Sequence, residues 1–177
     1  MLSANEVKPV VLIGFMATGK TTVGRIVAQR LGWRFVDLDR LIEQNVGSRI
    51  ADIFRTHGEP AFRRHESAAL GQALDMADVV IATGGGAACR EDNLTQMLGR
   101  ARVVALSAPP SEILARTGNG SGRPLLDGAD DPLSAAAHLL NEREPFYARA
   151  HVRVSTAGRT PEQVADEVVG ALRREQA

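Results

Sequence analysis

Two hydrophobic periodicities alternate along this chain. Short continuous apolar runs recur at VVLI (10–13), WRFVDL (33–38), DVVIAT (78–83), 102–107 and 151–155. Between them apolar residues return at helical spacing, as Val23, Ile26, Val27 and Leu31 do. Continuous runs of this length suit strands covered on both faces, and the spaced positions suit amphipathic helices. The pattern predicts helices from the end of the first loop to Leu31, over 40–45, 49–56, 60–74, 91–98, 111–116 and 132–143, and from Thr160 to Leu172. Local signals punctuate them. Gly32 reads as a C-cap, Ser48 as an N-cap, Gly58 as a stop, and Pro60 as a first-turn proline. Thr160 reads as a cap with Pro161 at the first helical position. The stretch 117–131, with glycines at 118, 120, 122 and 128, reads as a loop. Strands alternating with helices predict one parallel sheet with helices on both faces and ligands at the carboxyl ends of its strands.

Composition narrows the class. The chain has 177 residues, enough for one domain with a sizeable core. At 44% apolar and 24% charged residues it reads as an ordinary soluble globular protein. Formal net charge is zero, which gives no global support for nucleic-acid or acidic-membrane binding, so anion recognition must come from local arginines. The one cysteine, Cys89, can form no internal disulfide and reads as a small core or surface residue rather than a nucleophile, fitting a reducing, cytoplasmic setting. The opening MLSANEVKP has no apolar segment of signal-peptide type, and no window approaches 18 apolar residues, so neither a signal peptide nor a membrane span is expected. With no apolar edge standing out, the expected state is a monomer.

The strongest chemical signal follows the first strand. GFMATGKT (14–21) fits G-x-x-x-x-G-K-[ST] at Gly14, Gly19, Lys20 and Thr21. A loop wrapped at a helix N-terminus aims unpaired N–H groups at one point, and the helix dipole adds positive potential there. A nucleoside triphosphate is the natural guest, with Lys20 reaching its β- and γ-phosphates and the Thr21 hydroxyl on Mg²⁺. An apolar strand before the loop and an amphipathic helix after it argue against a mere glycine-rich turn.

Other candidates gather at the same strand ends. The third strand has no acid at its carboxyl end, but the second ends in Asp37-Leu38-Asp39. On an extended chain those two carboxylates face one side. One suits the metal and its waters, the other a hydroxyl attacking the γ-phosphorus; the plain alternative is a pair of turn aspartates, one capping the next helix. Gly84-Gly85-Gly86 lets backbone pass close to a ligand. Arg63, Arg64, Arg123 and Arg143 each read alone as surface charges, although guanidinium is the best carboxylate clamp and the usual charge stabiliser in phosphoryl transfer.

Taken together, GFMATGKTTVG (14–24), FVDLD (35–39), ADIF (51–54), GEPAFRRHE (58–66), ATGGG (82–86), RTGNGSGRPLL (116–126) and REPFY (143–147) resemble the shikimate kinase family over nearly the whole length. The resemblance implies a P-loop NTPase three-layer αβα sandwich of the nucleoside monophosphate kinase type, with a five-stranded parallel sheet. It implies a single P-loop kinase domain over 1–177, an acceptor region at about 39–66 and a lid at about 117–131. The implied activity is transfer of the ATP γ-phosphate to the 3-hydroxyl of shikimate. ATP would lie on Ala17, Thr18, Gly19, Lys20, Thr21 and Thr22, with Arg116 against adenine, Arg159 and Pro161 across from it, and Arg123 brought by the lid onto the phosphates. Shikimate would be held by Asp39, Arg63, Gly84, Gly85, Gly86 and Arg143, with Phe54 and Phe62 walling the ring. Asp39 would take the 3-hydroxyl, with Lys20 and Arg123 completing the catalytic set. Thr21 would bind Mg²⁺ directly and Asp37 through water. The chain departs from the family pattern at Ala17, where glycine is common and where the local φ must suit a Cβ, in a more glycine-rich lid, and in a loosely matching adenine loop, STAGRTPE.

Two other readings compete. One is a related small-molecule kinase, for gluconate or a nucleoside monophosphate; Asp39 with Arg63 and Arg143, suited to a polyol carboxylate, speaks against it. The other is a regulatory module that binds ATP and transfers nothing; intact Lys20, Thr21, Asp37, Asp39 and Arg123 speak against that.

Overall fold

The computed structural model describes residues 8–117 and 131–174. Five strands, β1 (Val10–Ile13), β2 (Arg34–Asp37), β3 (Val79–Ala82), β4 (Arg102–Ser107) and β5 (Val152–Ser155), form one sheet in the order β2-β3-β1-β4-β5. Every pairing is parallel. The helices are α1 (Lys20–Leu31), α2 (Leu38–Val46), α3 (Ile50–Leu74), α4 (Glu91–Arg100), α5 (Pro110–Thr117), α6 (Pro132–Tyr147) and α7 (Pro161–Arg174). The central strand shows why the sheet is covered twice. Val11 and Ile13 join one apolar cluster, with Leu38, Ile53, Leu70, Leu94, Met97 and Ile113. Val10 and Leu12 point the other way, into a cluster with Val23 and Val27 of α1 and Val164 and Val168 of α7. All four β1 side chains are buried, each contributing roughly 1.5–3 kcal/mol over exposure.

Several boundaries differ from the sequence expectation. β2 stops at Asp37, and Leu38 and Asp39 are already helical. Asp37 is the N-cap of α2: its Oδ1 accepts from the Asp39 N–H at 3.1 Å and the Arg40 N–H at 3.4 Å. The two aspartates are therefore not alternate residues of a strand. Ser48 does not cap the next helix. Arg49 occupies the cap position without a side-chain bond, and Glu43 Oε1 accepts from the Ile50 N–H at 3.0 Å. The two helices expected over 49–56 and 60–74 are one run, α3, broken at Gly58 (φ 77°, ψ 175°) with Pro60 just after the break. α6 continues past Arg143 to Tyr147 and carries Pro145 within it. A 3₁₀ turn at Ala87–Cys89 was not anticipated. Thr160 does cap α7, in a reciprocal box: the Gln163 N–H donates to Thr160 Oγ1 at 3.3 Å and the Thr160 N–H to Gln163 Oε1 at 3.0 Å.

Gly14 shows how tightly the first loop is built. Its φ is +138°, and a Cβ there would stand 2.2 Å from the Leu106 carbonyl oxygen of β4. Gly14→Ala is expected to cost about 3 kcal/mol or more, lowering the melting temperature by roughly 6–12 °C in a chain of this size. Ala17, at φ 57°, is the opposite case: it occupies the left-handed region that a Cβ tolerates at modest cost. Ala17→Gly should stay within about 1 kcal/mol of the parent, because relief of φ strain offsets the added unfolded-state freedom. Thermal melts of the two variants check both statements.

Candidate active site

The loop between β1 and α1 closes on itself through two side chains. Thr18 Oγ1 donates to the Phe15 carbonyl at 2.8 Å. Lys20, 8% exposed, donates through Nζ to the carbonyls of Gly14 and Phe15, both at 2.8 Å. Gly19 starts α1 at φ 93°, with no side-chain cap, which leaves first-turn N–H groups for a ligand. An open cleft of about 320 Å³ lies over this loop, lined among others by Ala17, Lys20, Thr21, Asp39 and Gly84. Thr18 is buried beneath the loop, while Thr22 lies on the cleft wall.

Next to it, Thr21 Oγ1 donates to Asp37 Oδ2 at 3.0 Å. The two aspartate oxygens thus have separate tasks: Oδ1 caps α2, Oδ2 faces the phosphate loop. These are hard oxygen donors. No group of three or more His, Cys, Asp or Glu suited to a metal exists among the described residues, so a cation here would need phosphate oxygens and waters to complete its shell. Asp39 sits deeper. Its carboxyl pKa is pushed up to about 6 by burial first, then by the charges of Asp37 and Glu66, against the pull of Lys20.

Beyond the glycines is a second cleft of about 440 Å³, lined by Glu59, Pro60, Arg63, Gly86, Cys89, Arg90 and Arg143. Arg63 NH1 donates to Glu66 Oε2 at 2.8 Å, and its Nε and NH2 to Glu59 Oε1 at 3.2 and 3.1 Å. Glu66 is 1% exposed, and burial raises its carboxyl pKa although Arg63 opposes the shift. Burial would lower the Arg63 pKa, but Glu66 and then Glu59 outweigh it and raise it. Arg143 lies over the Phe15 ring at 5.5 Å, and Arg63 over Phe62 at 5.1 Å. Phe54, 39% exposed, packs on Phe62 with centroids 4.6 Å apart, and Phe62 in turn lies under the Arg63 guanidinium.

Gly84–Gly86 joins the clefts. A Cβ on Gly84 would stand 3.2 Å from Asp39 Oδ1, one on Gly85 3.3 Å from Arg143 NH1 and 3.4 Å from the Met16 nitrogen, and one on Gly86 2.9 Å from Arg63 NH2. A side chain at Gly86 would displace the arginine.

On the far side of the phosphate loop, Arg116 NH1 donates to the Ala17 carbonyl at 3.2 Å and Thr156 Oγ1 at 3.0 Å. Its NH2 donates to Thr156 O at 3.0 Å and Glu112 Oε2 at 2.9 Å. Arg116 therefore ties the phosphate loop to the loop after β5. Arg159 turns onto α7 instead, donating to Ser155 O, Gln163 O and Glu167 Oε2, and Pro161 begins that helix. Arg123 and most of the expected lid lie outside the described residues. Sequence reasoning missed the two acids that hold Arg63, and it missed Tyr147, whose hydroxyl donates to the Gly85 carbonyl at 2.6 Å. The i, i+4 relation of Tyr147 to Arg143 could have flagged it, had the helix been carried through Pro145.

A phosphate loop opening a parallel sheet, continuous with an arginine-lined cleft for a second small molecule, defines a P-loop kinase fold. A family model described as "Shikimate kinase" matches residues 16–173, and the chain belongs to the shikimate kinase family. It is similar to the shikimate kinase of Caldanaerobacter subterraneus subsp. tengcongensis, 43% identical over 164 residues, covering 93% of this chain and 95% of the relative. Among solved structures it resembles the shikimate kinase from Acinetobacter baumannii in complex with shikimate, with TM-score 0.89, 34% identity, and 96% and 95% of the two chains covered. A gluconokinase from Sinorhizobium meliloti shares the fold alone, with TM-score 0.63 and 19% identity over 97% of this chain and 95% of that one.

Proposed function

We propose that this chain is an ATP:shikimate 3-phosphotransferase, making shikimate 3-phosphate and ADP on the route to chorismate and the aromatic amino acids. The observation that carries the reading is the shared edge at Gly84–Gly86, with the Asp39 carboxylate on the phosphate side and Arg63 and Arg143 on the acceptor side. An acceptor carboxylate meets both guanidiniums by replacing Glu59, the exposed partner of Arg63, while buried Glu66 keeps its bond. Phe54 and Phe62 give the ring an apolar face. Asp39 accepts a hydrogen bond from the 3-hydroxyl and takes its proton as the oxygen closes on the γ-phosphorus and the bond to the ADP oxygen breaks. Residues 17–22 and the N-terminus of α1 hold the phosphates, and the Lys20 ammonium stabilises charge on the transferring group. Mg²⁺ fits the Thr21–Asp37 oxygens; when bound with ATP it neutralises phosphate charge. Arg116, with the loop before Pro161, borders the base, and Arg159 supports that loop. Family resemblance assigns Arg123, in a lid of about 117–131, to the phosphates.

The same reading takes residues 39–66 as the acceptor region of one domain, and the chain as a cytoplasmic monomer acting on small molecules without nucleic-acid or membrane partners. No helix among the described residues is long and apolar enough to cross a membrane.

ADP release measured with and without shikimate, beside gluconate and nucleoside monophosphates, tests the reading. Release should depend on shikimate. Equal release without an acceptor, or preference for gluconate, would overturn it.

The carboxylate clamp has its own test. Replacing the shikimate carboxylate by an amide should cost about 1.5–3 kcal/mol of binding, the scale of a charge-assisted bond. Arg63→Ala should cost about as much with shikimate but little further with the amide. Since Glu66 would be left buried without its partner, the cycle belongs in a Glu66→Gln background, which removes the buried charge. Additive losses in calorimetric titrations would mean that Arg63 acts elsewhere.

A further inference from the structure

Tyr147 is 3% exposed and stands one helical turn beyond Arg143 on α6. Its ring fills the core between α6 and the turn that follows Gly86. Its hydroxyl donates to the Gly85 carbonyl at 2.6 Å, and the phenol also faces the Arg143 guanidinium and the Cys89 thiol. The Cys89 Sγ reaches the same carbonyl only at 3.8 Å, a much weaker contact. A Cβ on Gly85 would meet Arg143 NH1 at 3.3 Å and the backbone of Met16 and Gly14 at 3.4 and 3.7 Å, so Gly85 packs close to both. Three glycines in succession resist rotation poorly, so the direction of this backbone depends on what holds it from outside. The Tyr147 hydroxyl makes the short, part-buried bond that does so from the acceptor side.

We propose that Tyr147 is a positioning residue for the acceptor. By pinning the Gly85 carbonyl to the helical turn that carries Arg143, it makes the glycine backbone and the guanidinium one rigid docking edge. The inference rests on the reading that this cleft takes shikimate. It differs from a simple packing role, because the hydroxyl can be removed while the ring remains.

Tyr147→Phe in the full chain is the test. Without its donor the Gly85 peptide can rotate, and the edge no longer meets carboxylate and hydroxyl at once. The shikimate KM should rise roughly 5- to 20-fold, the scale of a buried carbonyl losing its partner, while kcat stays within about 3-fold and the ATP KM is unchanged. A role in packing alone would lower the melting temperature and leave the shikimate KM where it was, which would overturn the proposal. Equal increases in both KM values would overturn it too. Hydrogen exchange on the unaltered protein gives a reading independent of how well the variant folds. Saturating shikimate should slow the amides of 84–89 and 143–148 together, and protection of one segment without the other would count against a single edge. Failure of the parent to phosphorylate shikimate would instead remove the functional reading, so the two failures are distinguishable.

Discussion

Asp39→Asn should nearly abolish phosphoryl transfer and, at neutral pH, make the protein more stable. Both effects come from the same carboxylate. Loss of a positioned general base typically costs about 10²–10⁴-fold in rate, and asparagine cannot accept the hydroxyl proton. The stability effect has the opposite sign. Asp39 has a pKa of about 6 in the fold against an ordinary 3.8, because burial and the neighbouring Asp37 and Glu66 charges disfavour its ionised form. Between those two values the folded protein binds more protons than the unfolded chain, so stability falls as pH rises through that window. Above it the full penalty is present, at most about 3 kcal/mol from the size of the shift, and less as solvent screens it. As pH falls through about 6 towards 3.8 the penalty is relieved. Melts without nucleotide or metal should therefore show Asp39→Asn more stable than the parent at pH 7.5, with the gap narrowing below pH 6 and closing near pH 3.8. A variant retaining a tenth of parental turnover would sink the catalytic assignment. A gap that did not change with pH would sink the electrostatic one.

Legibility in the sequence divided along local and non-local lines. The five strands, the phosphate loop and the cap at Thr160 could be read because each is specified by neighbours in the chain: a continuous apolar run, a fixed glycine spacing, a threonine before a first-turn proline. The Asp37 and Asp39 pair was found for the right neighbourhood and the wrong geometry. The alternation argument needed both on an extended chain, whereas Asp37 caps a helix and Asp39 belongs to its first turn. The plain alternative, a turn aspartate capping α2, and the proposed metal role are both compatible with Asp37, because its two oxygens point to different partners. What sequence could not supply was the pairing that holds the acceptor cleft. Glu66 looks like any helical surface acid until α3 is seen to bury it against Gly84, and Tyr147 stood past a proline that appeared to end the helix. Such groups act through space, and their significance depends on which helix face the fold turns inward.

Lys20→Met should lower kcat by roughly 10²-fold or more, the scale of removing one preorganised electrostatic contact from a transition state. The ammonium is mostly buried and bridges two carbonyls, those of Gly14 and Phe15. It therefore has two tasks. Without ligand it holds the loop closed by charge-assisted bonds; in the proposed reaction it would share those bonds with phosphate oxygens. Methionine keeps the length and helix propensity of lysine, so α1 should still form. The two carbonyls, however, lose a common donor, at an expected cost of about 1–3 kcal/mol. The variant should be folded, somewhat less stable, and nearly inactive. Arginine distinguishes the tasks. Lys20→Arg keeps the positive charge but replaces a compact ammonium by a planar fork that cannot bond the two carbonyls in the same way. It should fail to restore full turnover even though charge is conserved. Circular dichroism, a thermal melt and single-turnover kinetics on the three proteins decide the matter. Near-parental kcat in Lys20→Met would remove the lysine from phosphoryl transfer, and an unfolded variant would show that the bridge to Gly14 and Phe15, rather than the reaction, is what the residue chiefly serves.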